Sequence, residues 1–134
     1  MEKIEVRKGC FVTRLKDGTL KNKEWYDENG NLHRDSGPAK INYRYNEEID
    51  DCYIASKYWY NHGILVHYSI YTNYEIPIRD RYYNAKGQYH REGGPAIITY
   101  DDCGEIIEEQ YYINGKRIKN ELQIQIINGL VEVE

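Results

Sequence analysis

His33-Arg34-Asp35 and His90-Arg91-Glu92 are the residues of this chain best equipped for chemistry. Each triplet sets an imidazole and a guanidinium beside a carboxylate. A guanidinium clamps a carboxylate or phosphate with parallel hydrogen bonds, and an imidazole can make a charge-assisted contact with its neighbouring acid. Two such triplets could form a pseudo-symmetric anion site, which makes His33, Arg34, His90 and Arg91 the candidate ligand-binding residues. The same side chains also suit a plainer task, fixing a turn by bonding backbone carbonyls in each copy. The residue types favour that structural reading, and no residue is assigned a catalytic role.

The elements that must position these triplets are themselves repeated. Leu32-His33-Arg34-Asp35-Ser36-Gly37-Pro38-Ala39 returns 57 positions later as Tyr89-His90-Arg91-Glu92-Gly93-Gly94-Pro95-Ala96. An aromatic pair and a glycine precede each copy, as Trp25-Tyr26 with Gly30 and Tyr82-Tyr83 with Gly87. An alternating stretch follows, Ile41 and Tyr43, then Ile98 and Tyr100. Glycine before proline allows backbone conformations closed to other residues, and proline has no N–H to give a paired strand. The Gly-Pro-Ala element therefore reads as a turn followed by a strand start.

Further along, Asp50-Asp51-Cys52 matches Asp101-Asp102-Cys103, and Trp59-Tyr60-Asn61-His62-Gly63 matches Tyr111-Tyr112-Ile113-Asn114-Gly115. The first copy thus carries an insertion across 44–49, and an insertion belongs in a loop. The repeats run over about 25–65 and 82–117. Asn-Gly, Asp-Gly and other glycine turn signals separate short alternating or aromatic runs throughout. The fold expected is all-β, a single domain over 1–134 built as an antiparallel meander of short hairpins. Residues 1–20 are expected to form a hairpin around Asp17-Gly18. Residues 66–80 alternate as one further strand, with Val66, Tyr68, Ile70, Thr72, Tyr74, Ile76 and Ile78 on one side. Residues 121–134 read as a hairpin around Asn128-Gly129, with a short helix over 120–127 as the alternative.

Fifteen tyrosines stand against one Phe and one Met in 134 residues. Tyrosine suits half-buried strand faces, where the ring packs and the hydroxyl stays wet, and it also suits binding surfaces. The net charge is −4. With no long basic run, direct binding of duplex nucleic acid is not expected. No apolar run approaches the ~20 residues of a membrane span, and the N-terminus lacks a signal-peptide core. No membrane association and a cytoplasmic location are the expectations. Cys10, Cys52 and Cys103 form no disulfide framework, and Cys52 and Cys103 read as structural thiols in equivalent strands. His33, His62, His67 and His90 lack metal-ligand spacing, so neither a metal nor a cofactor is expected. The serines lack a nucleophile motif.

Glu47, Glu48, Asp50 and Asp51 fall in one expected loop, and Asp101 and Asp102 in its counterpart. They lack the ordered oxygen spacing of a calcium loop. Solvated loops account for them, and so does an acidic patch presented to a basic partner. Together with Tyr71 and Tyr74 they are the candidate partner-binding residues.

The unit Trp-Tyr-x-x-x-Gly-x-Leu-His-Arg-x-x-Gly-Pro-Ala resembles the short β-repeat of bacteriophage and large-DNA-virus proteins. It is more distantly similar to the MORN-type repeats of bacterial antitoxin-like proteins. The resemblance covers 25–43 and 82–100 closely, and 58–65 and 110–116 loosely. It departs at the 44–49 insertion, and 66–80 and 121–134 have no counterpart. It implies a non-enzymatic repeat sheet. The function expected is a non-catalytic binding protein, a phage- or virus-encoded inhibitor that occludes a host defence or regulatory protein and works in the host cytoplasm. The alternatives are a nucleotide-sequestering protein that uses the His/Arg pairs and an antitoxin-like binder. A meander leaves two open edges, so a homodimer through a sheet edge is a further expectation.

Overall fold

The structure, a computed structural model, describes residues 1–129. Ten strands form one antiparallel sheet in which each strand pairs with its neighbours in sequence. They are β1 (Glu2–Arg7), β2 (Cys10–Arg14), β3 (Leu20–Trp25), β4 (Lys40–Asn46), β5 (Asp51–Asn61), β6 (Ile64–Tyr71), β7 (Pro77–Tyr82), β8 (Ile97–Tyr100), β9 (Ile106–Ile113) and β10 (Lys116–Ile118), followed by helix α1 (Glu121–Ile127). The all-β meander of hairpins is therefore what the chain adopts.

No second sheet covers either face among the described residues. Partners in register share a face, so the pairings trace rows across the sheet. One face carries the row Val12, Lys23, Ile41, Lys57, Ser69, Asp80, Ile98. The next row of that face runs through Trp25, Ala39, Trp59, His67, Tyr82 and Ala96. Ala39 and Ala96 are fully buried. By register Ala39 lies between Trp25 and Trp59, and Ala96 lies beside Tyr82. The opposite face carries Phe11, Glu24, Lys40, Tyr58, Tyr68, Arg81 and Ile97. A single layer buries little completely, and most tyrosines are half-buried on one face or the other.

Several expectations change. The first hairpin turns at Lys8-Gly9 between β1 and β2, and Asp17-Gly18 joins β2 to β3 instead. The stretch 66–80 is not one strand. Thr72 Oγ1 accepts the N–H groups of Tyr74 and Ile76 at 3.2 Å, Glu75 takes a φ of 61°, and Pro77 opens β7. A hydroxyl that captures local N–H groups competes with the ladder, and a proline is at home as the first residue of a strand.

The insertion across 44–49 falls partly in a loop, as expected, with 47–49 in the β4–β5 turn, and partly in the strand, with 44–46 extending β4. It adds the rungs Arg44↔Tyr53, Tyr45↔Cys52 and Asn46↔Asp51 to the β4–β5 hairpin. Cys52 consequently lies half-buried in β5 while Cys103 is exposed in a turn, so the two thiols are not equivalent. Finally, 121–127 is helical, not the first arm of a hairpin. Asn120 caps it by accepting the Gln123 N–H at 3.1 Å. The second arm of that expected hairpin lies outside the described residues.

Candidate functional site

Each His-Arg triplet sits in the long connection that crosses one end of the sheet, β3 to β4 in copy one and β7 to β8 in copy two. The connection opens as a tight turn. Asp27 Oδ1 accepts the N–H groups of Asn29 and Asn31 at 2.9 Å, and Asn84 Oδ1 does the same for Lys86 and Gln88. The chain then folds back so that His33 N–H reaches Trp25 O at 2.9 Å and His90 N–H reaches Tyr82 O at 3.1 Å.

The imidazoles face the next hairpin. His33 Nδ1 accepts the backbone N–H of His62 at 3.0 Å, and His90 Nδ1 accepts that of Asn114 at 2.9 Å. Both donors are left-handed residues at a hairpin tip, with φ of 46° and 49°. This acceptor role leaves the proton on Nε2, where His33 donates to Asp35 at 2.8 Å and His90 lies 3.6 Å from Glu92.

The guanidiniums face the sheet. Arg34 stands 3.9 Å over the Trp25 ring and Arg91 3.9 Å over the Tyr82 ring. Each donates to a carbonyl of its own turn, Pro38 O at 3.4 Å and Pro95 O at 3.2 Å. Gly37 and Gly94 form the far wall. A Cβ on either would lie 3.2 Å from a guanidinium nitrogen. Gly37 has a φ of 148°, whereas Gly94 is not left-handed, so the need common to both copies is room for the arginine. All four candidate ligand residues are thus engaged in holding the fold. The two triplets are also four strands apart, roughly 19 Å at ~4.8 Å per strand, and do not converge on one site.

Copy one differs from copy two in one polar pair. His62 Nδ1 donates to Asp27 Oδ2 at 2.7 Å, where copy two has Asn84 Nδ2 donating to Asn114 Oδ1 at 3.2 Å. The His62 bond, with the backbone N–H of Asn31, holds the Asp27 carboxyl below the usual carboxylate range. An open groove of about 970 Å³ runs beside this cluster, lined by Lys3, Lys8, Trp25, Tyr26, Arg34 and the carboxylates of Glu5, Asp27, Glu28 and Asp35.

At the centre of the sheet lies a cluster that the sequence pattern does not announce. His67 is sandwiched between Trp59 and Tyr82, each ring centre 4.0 Å away. Its Nε2 lies 2.7 Å from Asp80 Oδ1 and 3.1 Å from Ser69 Oγ. Ser69 also donates to Asp80, and Tyr100 donates to Asp80 Oδ2 at 2.7 Å. A nucleophile–base–acid relay needs the serine and the carboxylate on opposite nitrogens of the imidazole. Here both meet the same nitrogen, and Ser69 is only 2% exposed. The group acts as a buried polar knot. Burial pushes the Asp80 carboxyl up, but the hydrogen bonds from His67, Ser69 and Tyr100 outweigh it and hold it below the usual range. Burial and the neighbouring Asp80 push the Tyr100 hydroxyl far up. The strand register, with Ser69 and Asp80 facing each other across β6 and β7, is what brings them together.

The candidate partner residues gather at the other end of the molecule. Successive turns of a meander alternate ends, so the turns 15–19, 47–50, 72–76 and 101–105 share one end. They carry Asp17, Glu47, Glu48, Asp50, Glu75, Asp101, Asp102 and Glu105, with Asp51 at the adjoining strand start and Lys16 as the one cation of those turns. Some of these acids serve the turns. Asp101 Oδ1 accepts the N–H groups of Cys103 and Glu105 at 2.9 Å, Glu75 accepts that of Ile54 at 2.8 Å, and Asp50 accepts the Tyr45 hydroxyl. Glu47, Glu48 and Asp102 are exposed and accept no hydrogen bond among the described residues. Tyr74, at 65% exposure, and Ile49, at 55%, are exposed in turns at the same end. Tyr71 does not join this group. It is half-buried on the sheet face, with the Lys57 ammonium 5.2 Å from its ring centre.

No protein-family model, curated protein or solved structure matches the chain. Among the described residues no three His, Cys, Asp or Glu side chains come close enough to hold a metal ion. No described helix is long and apolar enough to cross a membrane.

Proposed function

We propose that this is a non-catalytic binding protein that engages a basic protein surface through the acidic end of its sheet. The observation that carries the reading is that four acidic turns share that end of the sheet. They spread the unengaged Glu47, Glu48 and Asp102 and the exposed Ile49 and Tyr74 along one edge of the molecule, with Glu47 and Asp102 four strands, roughly 19 Å, apart. Carboxylates around an exposed aromatic and an aliphatic side chain make an interface with a charged rim and an apolar anchor. Such a surface competes with phosphates for a basic cleft, and its charge speeds encounter. Together with the resemblance of the repeat to phage and large-DNA-virus proteins, this supports an inhibitor that occludes a host defence or regulatory protein in the host cytoplasm. Affinity capture from host lysate, compared between the parent and a charge-neutralised variant, is the test.

A second reading rests on the groove beside Trp25 and Arg34. Its aromatic and cationic lining suits a nucleotide, whereas its four carboxylates oppose one. Thermal-shift screening with nucleoside mono-, di- and triphosphates separates the two. A shift that disappears in Arg34→Ala supports sequestration, and no shift in the parent removes it.

A further inference from the structure

We propose that β1 is a self-complementary edge that pairs antiparallel with β1 of a second copy, with Ile4 facing Ile4 at the two-fold axis. β1 is the first strand of the sheet and, among the described residues, has no partner on its outer side. All six of its residues are exposed, including Ile4 at 51% and Val6 at 58%. The opposite edge is a poorer template. β10 has three residues, and the chain then enters α1, which is tied back to β9 by a 2.9 Å hydrogen bond from Asn128 Nδ2 to the Tyr111 hydroxyl.

Symmetry and charge then select the register. Two copies of one strand related by a two-fold axis normal to the sheet must place facing side chains on the same side. Only registers centred on a single residue meet that condition. Centring on Lys3 sets Lys3 against Lys3. Centring on Glu5 sets Glu5 against Glu5 and Lys3 against Arg7. Centring on Val6 would set Glu5 against Arg7, but its axis falls in the β-bulge between Glu5 and Arg7. Centring on Ile4 sets Ile4 against Ile4 and Lys3 against Glu5 twice. Opposite charges facing each other stabilise a strand pair and like charges oppose it.

The β-bulge between Glu5 and Arg7 limits the regular pairing to the segment before it. The contact is therefore short, below the ~1,200 Å² of a stable interface, and the dimer is a weak one that forms at high concentration. The same bulge and the charged side chains restrain open-ended pairing, and the two-fold axis uses up both β1 edges, so assembly stops at two.

Cysteine cross-linking reads the register directly. In a Cys52→Ser, Cys103→Ser background, Lys3→Cys, Ile4→Cys and Glu5→Cys are each oxidised mildly at high protein concentration, with circular dichroism confirming the native sheet. Ile4→Cys alone is expected to yield a disulfide-linked dimer. Lys3→Cys and Glu5→Cys are each expected to stay monomeric alone and to cross-link when mixed one to one. Equal cross-linking by all three, a mixture that does not cross-link, or folded Ile4→Cys that yields no dimer would overturn the proposal.

Discussion

His33 and His62 lie with their rings stacked 3.7 Å apart, and the Nδ1 of His33 accepts the backbone N–H of His62. One histidine therefore fixes a left-handed hairpin tip that belongs to the following strand pair. His90 does the same for Asn114 without a stacked ring. The conserved element between the two copies of the repeat is the acceptor nitrogen, and the stack is an addition of copy one.

Removing that acceptor deletes a hydrogen bond at an exposed hairpin tip, where water can take its place. His33→Ala and His90→Ala are each expected to lower stability by about 0.5–1.5 kcal/mol, the net worth of such a bond. Urea unfolding followed by circular dichroism measures it. A loss within the scatter of ordinary surface substitutions would show that the clamp contributes nothing.

Gly94→Ala is expected to destabilise although its backbone conformation tolerates alanine. The new Cβ meets the Arg91 guanidinium, which is held between Gly94 and Tyr82. Overpacking of this kind costs about 1–3 kcal/mol. Most of that cost should vanish when Arg91→Ala is already present, so a double-mutant cycle should show clear coupling. Additive effects would contradict the sandwich.

Asp80 supplies a pH dependence with a definite sign. Its carboxyl is held below the usual range in the folded protein, so the unfolded chain takes up the proton first. The stability it contributes is complete above the unfolded value of ~3.9 and is lost as pH falls through that value and then through the lower folded one. Asp80→Asn is expected to cost about 1.5–3 kcal/mol at neutral pH, as removal of charged hydrogen bonds does. The gap between parent and variant should narrow below pH 4. Urea midpoints at neutral and acidic pH check this, and a gap that does not change with pH would refute it.

The meander was legible because glycine turns and aromatic alternation report local geometry. The role of the His-Arg triplet was only half legible. Its residue types pointed to turn fixing, but the partners, the Trp25 and Tyr82 rings and the His62 and Asn114 N–H groups, come together only across strands. The turn at 72–76 was hidden because Tyr74 and Ile76 keep the alternation while Thr72 quietly breaks the ladder. The helix was visible only as the alternative, because Leu122, Ile124 and Ile126 alternate like a strand, while Asn120 and Gln123 carry the cap. The Ser69–His67–Asp80 knot depends on register, which a residue pattern does not supply by itself. The acidic end follows from topology, since no single turn is unusual and only their alternation places them along the same end of the sheet.

Neutralising the acidic end should leave the fold unchanged, because Glu47, Glu48 and Asp102 hold nothing in place. Substitutions at such surface positions usually fall within about ±0.5 kcal/mol. The most direct measurement is therefore capture from host lysate by the parent and by a Glu47→Gln, Glu48→Gln, Asp102→Asn variant of equal stability, with the captured protein then titrated across a salt series. The account predicts a specific partner with a basic surface that the parent retains, salt weakens and the variant loses. A parent that retains nothing specific, or a partner held equally well by the variant, would contradict it.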